Sequence, residues 1–120
     1  MQPVILDANA LLMPFQFRIN LEAELRRLLG DHEILVPSPV IEELRGLARS
    51  VPEARPALRL AQRFRILEAP GGADDAIQET ASRLKGVVVT NDAALLRELK
   101  EANIPRVFLR SRSHLVLEGL

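Results

Sequence analysis

Carboxylates recur in this chain where short apolar runs stop or where helices should begin. Val4-Ile5-Leu6 ends at Asp7, and Val87-Val88-Val89 ends at Thr90-Asn91-Asp92. Glu42-Glu43 follows Ser38-Pro39-Val40-Ile41, and Asp74-Asp75 follows Gly71-Gly72-Ala73. Side-chain oxygens with no cysteine or histidine among them suit hard divalent cations, Mg²⁺ or Mn²⁺. Like charges about 4 Å apart repel by about 4 kcal/mol at an effective dielectric near 20. Four clustered acids therefore raise their own pKa values or strain the fold unless a cation neutralises them. An ion held this way can clamp a phosphodiester, acidify water and stabilise a leaving oxygen. Each acid alone has an ordinary explanation, because aspartate at a turn or a helix N-terminus is stabilising by itself.

The elements that must position these acids alternate between strand and helix. Val4–Leu6 and Val87–Val89 carry no polar alternation, which is how strands buried on both faces of a parallel sheet read. If those strands run parallel, Asp7 and Asp92 share the carboxyl edge of the sheet, where open α/β folds bind their ligands. Residues 10–13 predict a helical turn that Pro14 ends, followed by an irregular Phe15–Phe17 segment. Asn20 caps a helix with a Leu21, Leu25, Leu28, Leu29 stripe that closes at Gly30. A strand over residues 33–36 ends at Pro37, and Ser38-Pro39 reads as an N-cap followed by proline at the first helical position. On that helix, at about 100° per residue, the apolar stripe centres near Leu44. Glu43 falls roughly 100° from it, on the flank, and Glu42 roughly 160° away in solvent. Glu43 is thus the glutamate able to reach a site. Residues 50–56 predict a loop, 57–64 a helix, 65–67 a short strand and 107–109 the last strand. The sum is a three-layer α/β/α Rossmann-like sandwich with a mainly parallel sheet. We read residues 1–120 as one domain, with 111–120 as an extension that is an edge strand, a packed segment or a dimer contact.

Taken in order, Val4-Ile5-Leu6-Asp7-Ala8-Asn9, Val40-Ile41-Glu42-Glu43-Leu44, Ala73-Asp74-Asp75-Ala76-Ile77 and Val87-Val88-Val89-Thr90-Asn91-Asp92 resemble the acidic motifs of the PIN-domain nucleases. The resemblance runs from about Val4 to Val107. It implies metal-dependent hydrolysis of RNA, leaving a 5′-phosphate and a 3′-hydroxyl, with Asp7, Glu43, Asp74 and Asp92 as metal-binding and catalytic acids. Asn9 and Thr90 match polar residues that order such sites. Asp75 matches a doubled acid of some branches, as a ligand, a supporting group or a helix cap. A threonine common in the first motif is Ala8 here, which removes a hydroxyl but no acid. The Pro14–Phe17 segment and the doubled aspartate are most similar to archaeal relatives of the ribosomal-RNA-processing PIN endonucleases; the toxins of toxin–antitoxin pairs form the competing branch. A processing complex, an antitoxin or a second copy of the chain are the protein partners this implies. A non-catalytic scaffold is the alternative from another class. A phosphotransferase with Asp7 as nucleophile would want a second aspartate where Asn9 stands.

Composition limits how RNA could be held. Sixteen basic residues balance sixteen acidic ones, so no global field attracts nucleic acid and any contact must be local. Only Lys85 and Lys100 are lysine; the other basic residues are arginine, whose planar fork fits phosphate. Arg55, Arg59 and Arg63 recur every fourth residue and would form one row on a helix, with Arg45 and Arg49 as a similar pair upstream. We expect this row to rim the acidic site. With four Phe and no Trp or Tyr, extensive base stacking is not expected. The absence of cysteine excludes disulfides and suits a reducing compartment such as the cytoplasm, and no apolar run reaches membrane-spanning length. His32 and His114 lie away from every acid motif.

Overall fold

The computed structural model describes all 120 residues as six strands and six helices. Strand β1 (Gln2–Leu6) leads into helices α1 (Ala8–Phe17) and α2 (Leu21–Leu29). Strand β2 (His32–Pro37) leads into α3 (Ser38–Leu47) and α4 (Ala54–Ala61), and β3 (Arg65–Leu67) into α5 (Ala73–Leu84). Strand β4 (Val87–Val89) leads into α6 (Ala93–Glu101), and β5 (Arg106–Arg110) and β6 (His114–Glu118) close the chain as a hairpin. One sheet results, in the order β3-β2-β1-β4-β5-β6, parallel throughout except for β6. This is the α/β sandwich that the alternation of elements predicts.

The unbroken apolar runs occupy its centre. Val4, Ile5, Leu6 and Val87, Val88, Val89 are fully buried, as strands covered on both faces must be. Leu11 and Met13 of α1, Leu25 of α2, Leu44 of α3, Ile77 of α5 and Leu99 of α6 pack around them in one core. Leu6 pairs with Val89, so the chain leaves the sheet at Asp7 and Thr90 side by side. Connections from β1 run outward through β2 to β3, then return to β4 on the other side of β1. The β1–β4 boundary is therefore the point where strand order reverses, the place where such sheets bind ligands. Gly86 lets β4 start that close to β1. A Cβ at Gly86 would lie 3.3 Å from the Pro3 carbonyl and closer still to the Ile5 side chain.

Several local expectations differ from the structure. Helix α1 continues through Pro14 to Phe17, so Phe15 and Phe17 are helical rather than irregular. Burial of Ala8, Ala10, Leu11, Leu12 and Met13 outweighs the hydrogen bond that proline cannot donate, and the helix stops only at Arg18 in the left-handed region. Ser38 does not cap α3. Pro37 precedes that helix with no side-chain cap, and Ser38 Oγ instead accepts the Ala69 N–H at 3.1 Å. Helix α4 starts at Ala54, with Pro56 in its first turn where a missing N–H costs nothing, and ends at Ala61.

The tail is an edge strand. Leu115 is buried, and its outward backbone groups are satisfied by α2. Glu24 accepts its N–H at 2.8 Å, and Arg27 donates to its carbonyl at 2.8 Å. Arg27 also donates to Glu24, and these bonds hold the Glu24 carboxyl down at about 2. The edge that would otherwise invite strand pairing is blocked there by a charged pair.

Candidate active site

The end of β1 and the end of β4 form one hydrogen-bonded unit. Asp7 directly follows β1 and is the N-cap of α1, its Oδ1 accepting the Ala10 N–H at 2.8 Å. Its other oxygen accepts the Thr90 hydroxyl. Thr90 Oγ1 in turn accepts the Asp92 N–H at 3.0 Å, and Asp92 caps α6 through the Leu95 N–H at 2.9 Å. Asn9 Oδ1 accepts the Asn91 N–H at 2.9 Å. The capping explanation and the site explanation of Asp7 and Asp92 are thus not alternatives: each acid caps its helix with one oxygen.

Asn91 escapes a reading of the sequence for acids. Its Oδ1 accepts the Leu109 N–H at 2.8 Å, tying the end of β4 to β5. The signal was an amide beside a candidate acid at a strand end. Ser38 is the second such residue, pinning the loop before α5 to the start of α3.

Glu43 and Asp74 approach the same edge from α3 and α5. Asp74 and Asp75 lie in the first turn of α5 but make no side-chain cap, since Gly72 holds that position. Between the starts of α3 and α5 opens a cleft of about 1090 Å³, with Glu43, Asp74 and Asp75 in its wall beside Glu42 and Arg45. Gly71, at φ 80°, turns the chain there, and neither Gly71 nor Gly72 has an atom within 4 Å of where a Cβ would be. The cleft lies beside Asp7 and Asp92 rather than over them, and Glu43 and Asp74 are common to both.

The electrostatics identify the group. Asp7 is 6% exposed, and burial pushes its carboxyl up to about 7 despite the bonds from Thr90 and Ala10, with the charges of Glu43 and Asp74 adding to the rise. Glu43 and Asp74 are exposed at the surface, but partial desolvation raises Glu43, followed by repulsion from Asp74 and Asp92. Partial desolvation likewise raises Asp74, followed by repulsion from Asp92 and Asp75. All seven ion pairs of the chain use other acids. Five carboxylates thus share one sheet edge with no basic partner. No three of them are arranged to hold a single ion.

A pH dependence follows. Folded Asp7 keeps a proton that the unfolded chain releases near 3.8, so the native state binds more protons between about pH 4 and pH 7. Stability must then fall as pH rises through that window, and Glu43 and Asp74 act in the same direction. Urea unfolding in EDTA at pH 5 and pH 8 should show wild type losing stability relative to Asp7→Asn. Equal slopes for the two proteins would contradict burial as the dominant influence on Asp7.

Glu42 stands apart from the acidic group. It is paired with Arg45 and its side chain is 69% exposed, as the helical wheel indicated. The arginine row is only partly realised. Arg45 borders the cleft, Arg49 is exposed in the turn after α3, and Arg55 and Arg59 are exposed on α4. Arg63 does not join them. Helix α4 ends two residues earlier, and Arg63 pairs with Glu22 at 3.1 Å beside His32 and Glu33, where β2 begins. That is the opposite edge of the sheet from Asp7.

A parallel sheet with acids gathered at its switch point is the architecture of the PIN domains. The family model described as "PIN like domain" matches residues 4–112, and the chain belongs to that family. It is 31% identical to Ribonuclease VapC4 of Methanocaldococcus jannaschii, aligned over 100% of this chain and 99% of that one. It is 27% identical to Ribonuclease VapC9 of Archaeoglobus fulgidus, over 97% and 89%. Among solved structures, the PIN domain endonuclease Utp24 superposes with a TM-score of 0.83 at 28% identity, covering 98% of this chain and 92% of that one.

Proposed function

We propose that this protein is a divalent-metal-dependent endoribonuclease. The observation that carries the reading is the group of carboxylates at the β1–β4 switch point, unpaired with any base, of which Asp7, Glu43 and Asp74 are raised by desolvation and then by neighbouring carboxylate charge. Two relatives named ribonucleases and a structural neighbour named an endonuclease support it. Asp7, Glu43, Asp74 and Asp92 would hold Mg²⁺ or Mn²⁺, with Asp75 beside them; the donors are all oxygen, as these ions require. Bound there, the cation supplies charge for the phosphate and an acidified water. The chain's own groups do the positioning. Thr90 and Asn9 set the orientation of the strand ends, and Asp7, with its carboxyl near 7, ionises fully only above neutral pH. The Gly71-Gly72 turn leaves the cleft mouth clear for a strand of RNA, and Arg45, Arg49, Arg55 and Arg59 supply phosphate contacts on its α3–α4 side.

The finer reading, action in ribosomal-RNA processing, rests on the resemblance of the motifs together with the match to Utp24. The toxin reading, with an antitoxin as partner, is favoured instead by the two relatives that carry the VapC name. A homodimer belongs to the same proposal, with Phe15 on α1 and Leu120 at the end of the tail among the exposed apolar side chains available to it. No helix is long and apolar enough to cross a membrane.

The test is cleavage of a labelled single-stranded RNA by purified protein with Mn²⁺ and with EDTA. Cutting is expected only with the metal, and millimolar Mn²⁺ should raise the melting temperature, more at pH 8 than at pH 6, because it binds the ionised folded site. A protein that binds RNA, gains no stability from Mn²⁺ and never cuts is the scaffold, not the enzyme.

A further inference from the structure

The β5–β6 turn combines backbone strain, unpaired positive charge and aromatic support. Ser113 donates its N–H to the Arg110 carbonyl at 3.3 Å, so Ser111 and Arg112 are the central residues of a β-turn. Both have positive φ, 56° and 58°. Hairpin turns of this kind favour Asn-Gly, because side chains with a Cβ are disfavoured in the left-handed region. An exposed arginine where glycine fits best carries a local backbone cost, offset in part by its contact with the Phe17 ring.

The guanidinium of Arg112 lies over the Phe17 ring, 5.4 Å from its centroid, and that of Arg110 over Phe108 at 5.9 Å. Neither arginine has an acidic partner among the chain's ion pairs. A guanidinium resting against a ring keeps N–H groups free for phosphate and adds polarisable surface beside which a base can lie. Two of the four phenylalanines thus have an arginine against the ring, a pairing that a count of aromatic residues does not reveal.

Topology brings this turn to the acids. Strand β5 runs parallel to β4 with Val107 beside Val89, so it continues three residues, about 10 Å, past the end of β4 and carries the turn out beyond the edge that bears Thr90 and Asp92. Asn91 bonds the Leu109 N–H directly, while Phe17 lies at the far end of the ten-residue α1, about 15 Å along that helix from Asp7. The large cleft opens on the β3–α5 side of Asp7 and Asp92, and the basic turn stands on the β5–β6 side. A polynucleotide lying across the acids from the cleft would meet it.

We propose that the Arg110–Ser113 turn is an RNA-contacting arm, in which Arg112 and Arg110 bind a phosphate and stack a base on the side of the acidic site away from the cleft. This rests on the nuclease reading for its substrate but not for its test.

The probe is a fluorescein-labelled single-stranded oligouridylate, with anisotropy followed in EDTA so that no cleavage proceeds. Arg112→Gly removes the side chain and supplies the residue the backbone prefers. Affinity should fall about tenfold, the scale of one charge-assisted hydrogen bond. The salt slope should become shallower by about 0.7 for each phosphate no longer neutralised, while the melting temperature stays level or rises. Arg112→Asn, which also tolerates a left-handed backbone, should behave alike, and Arg112→Lys should recover the salt slope without full affinity. Unchanged affinity in Arg112→Gly overturns the proposal, as does loss of affinity only in proportion to loss of folding in both variants. Wild type that fails to bind the probe at low salt overturns it too. The nuclease reading is judged separately: wild type that binds through this turn yet never cuts with Mn²⁺ leaves the arm standing and removes the enzyme.

Discussion

Asp7→Asn should lower RNA cleavage by about 10³-fold or more while leaving the protein folded. Asparagine is as good an N-cap as aspartate, so the bond from the Ala10 N–H survives, and the amide keeps the volume beside Thr90. What disappears is the negative charge at the point where the edges of β1 and β4 meet. A metal ligand in such a site is worth several kcal/mol of transition-state charge stabilisation, and each 1.36 kcal/mol is tenfold in rate. The variant should also be no less stable than wild type at pH 8, since a buried carboxylate raised to about 7 is ionised there against the preference of its surroundings. The measurement is single-turnover cleavage with Mn²⁺ beside urea unfolding in EDTA. Residual cutting equal to wild type would mean that the activity belongs to a contaminant and would end the assignment.

The second large effect separates two adjacent glutamates. Glu43→Gln should reduce cleavage by about 10²-fold or more, the loss of one charged site group worth about 2.7 kcal/mol or above, whereas Glu42→Gln should stay within about twofold. The two side chains differ by one residue on the same helix and are chemically identical. Glu43 is raised by desolvation and then by the charges of Asp74 and Asp92; Glu42 faces out and pairs with Arg45 on its own helix, an exposed bond worth about 0.5 kcal/mol. Parallel kcat/KM measurements decide it. Equal losses in both variants would place the site in the neighbouring cleft, which both residues border, rather than at the switch point.

Much of the fold was legible because its signals are local and strong. Three-residue runs of Val, Ile and Leu with no polar alternation have few places to go but the middle of a parallel sheet, and β1 and β4 went there. The acids were legible for a related reason, since an ionisable group directly after a buried strand stands at the sheet edge whatever the helices do. Less legible were the features that depend on competition between neighbours. Pro14 is a helix breaker by its chemistry, but five buried residues of α1 carry the helix past it. Ser38 had the sequence of an N-cap, yet its hydroxyl found Ala69, thirty-one residues away in the chain. Arg63 had the spacing of a row, but the row requires a helix, and α4 ends at Ala61.

By itself, then, the amino-acid order determined which strands are central, which edge bears the acids, and that Glu43 rather than Glu42 turns toward them. These follow from period and polarity, which act within a few residues. Only the tertiary structure decided that Asp7 and Asp92 cap their helices while belonging to the same acidic group, and that Asn91 ties the site to β5. It alone brought a strained, arginine-bearing turn to the far side of that edge. Each of those depends on strands that are distant in sequence lying side by side, and the burial and charge that raise Asp7 exist only once they do.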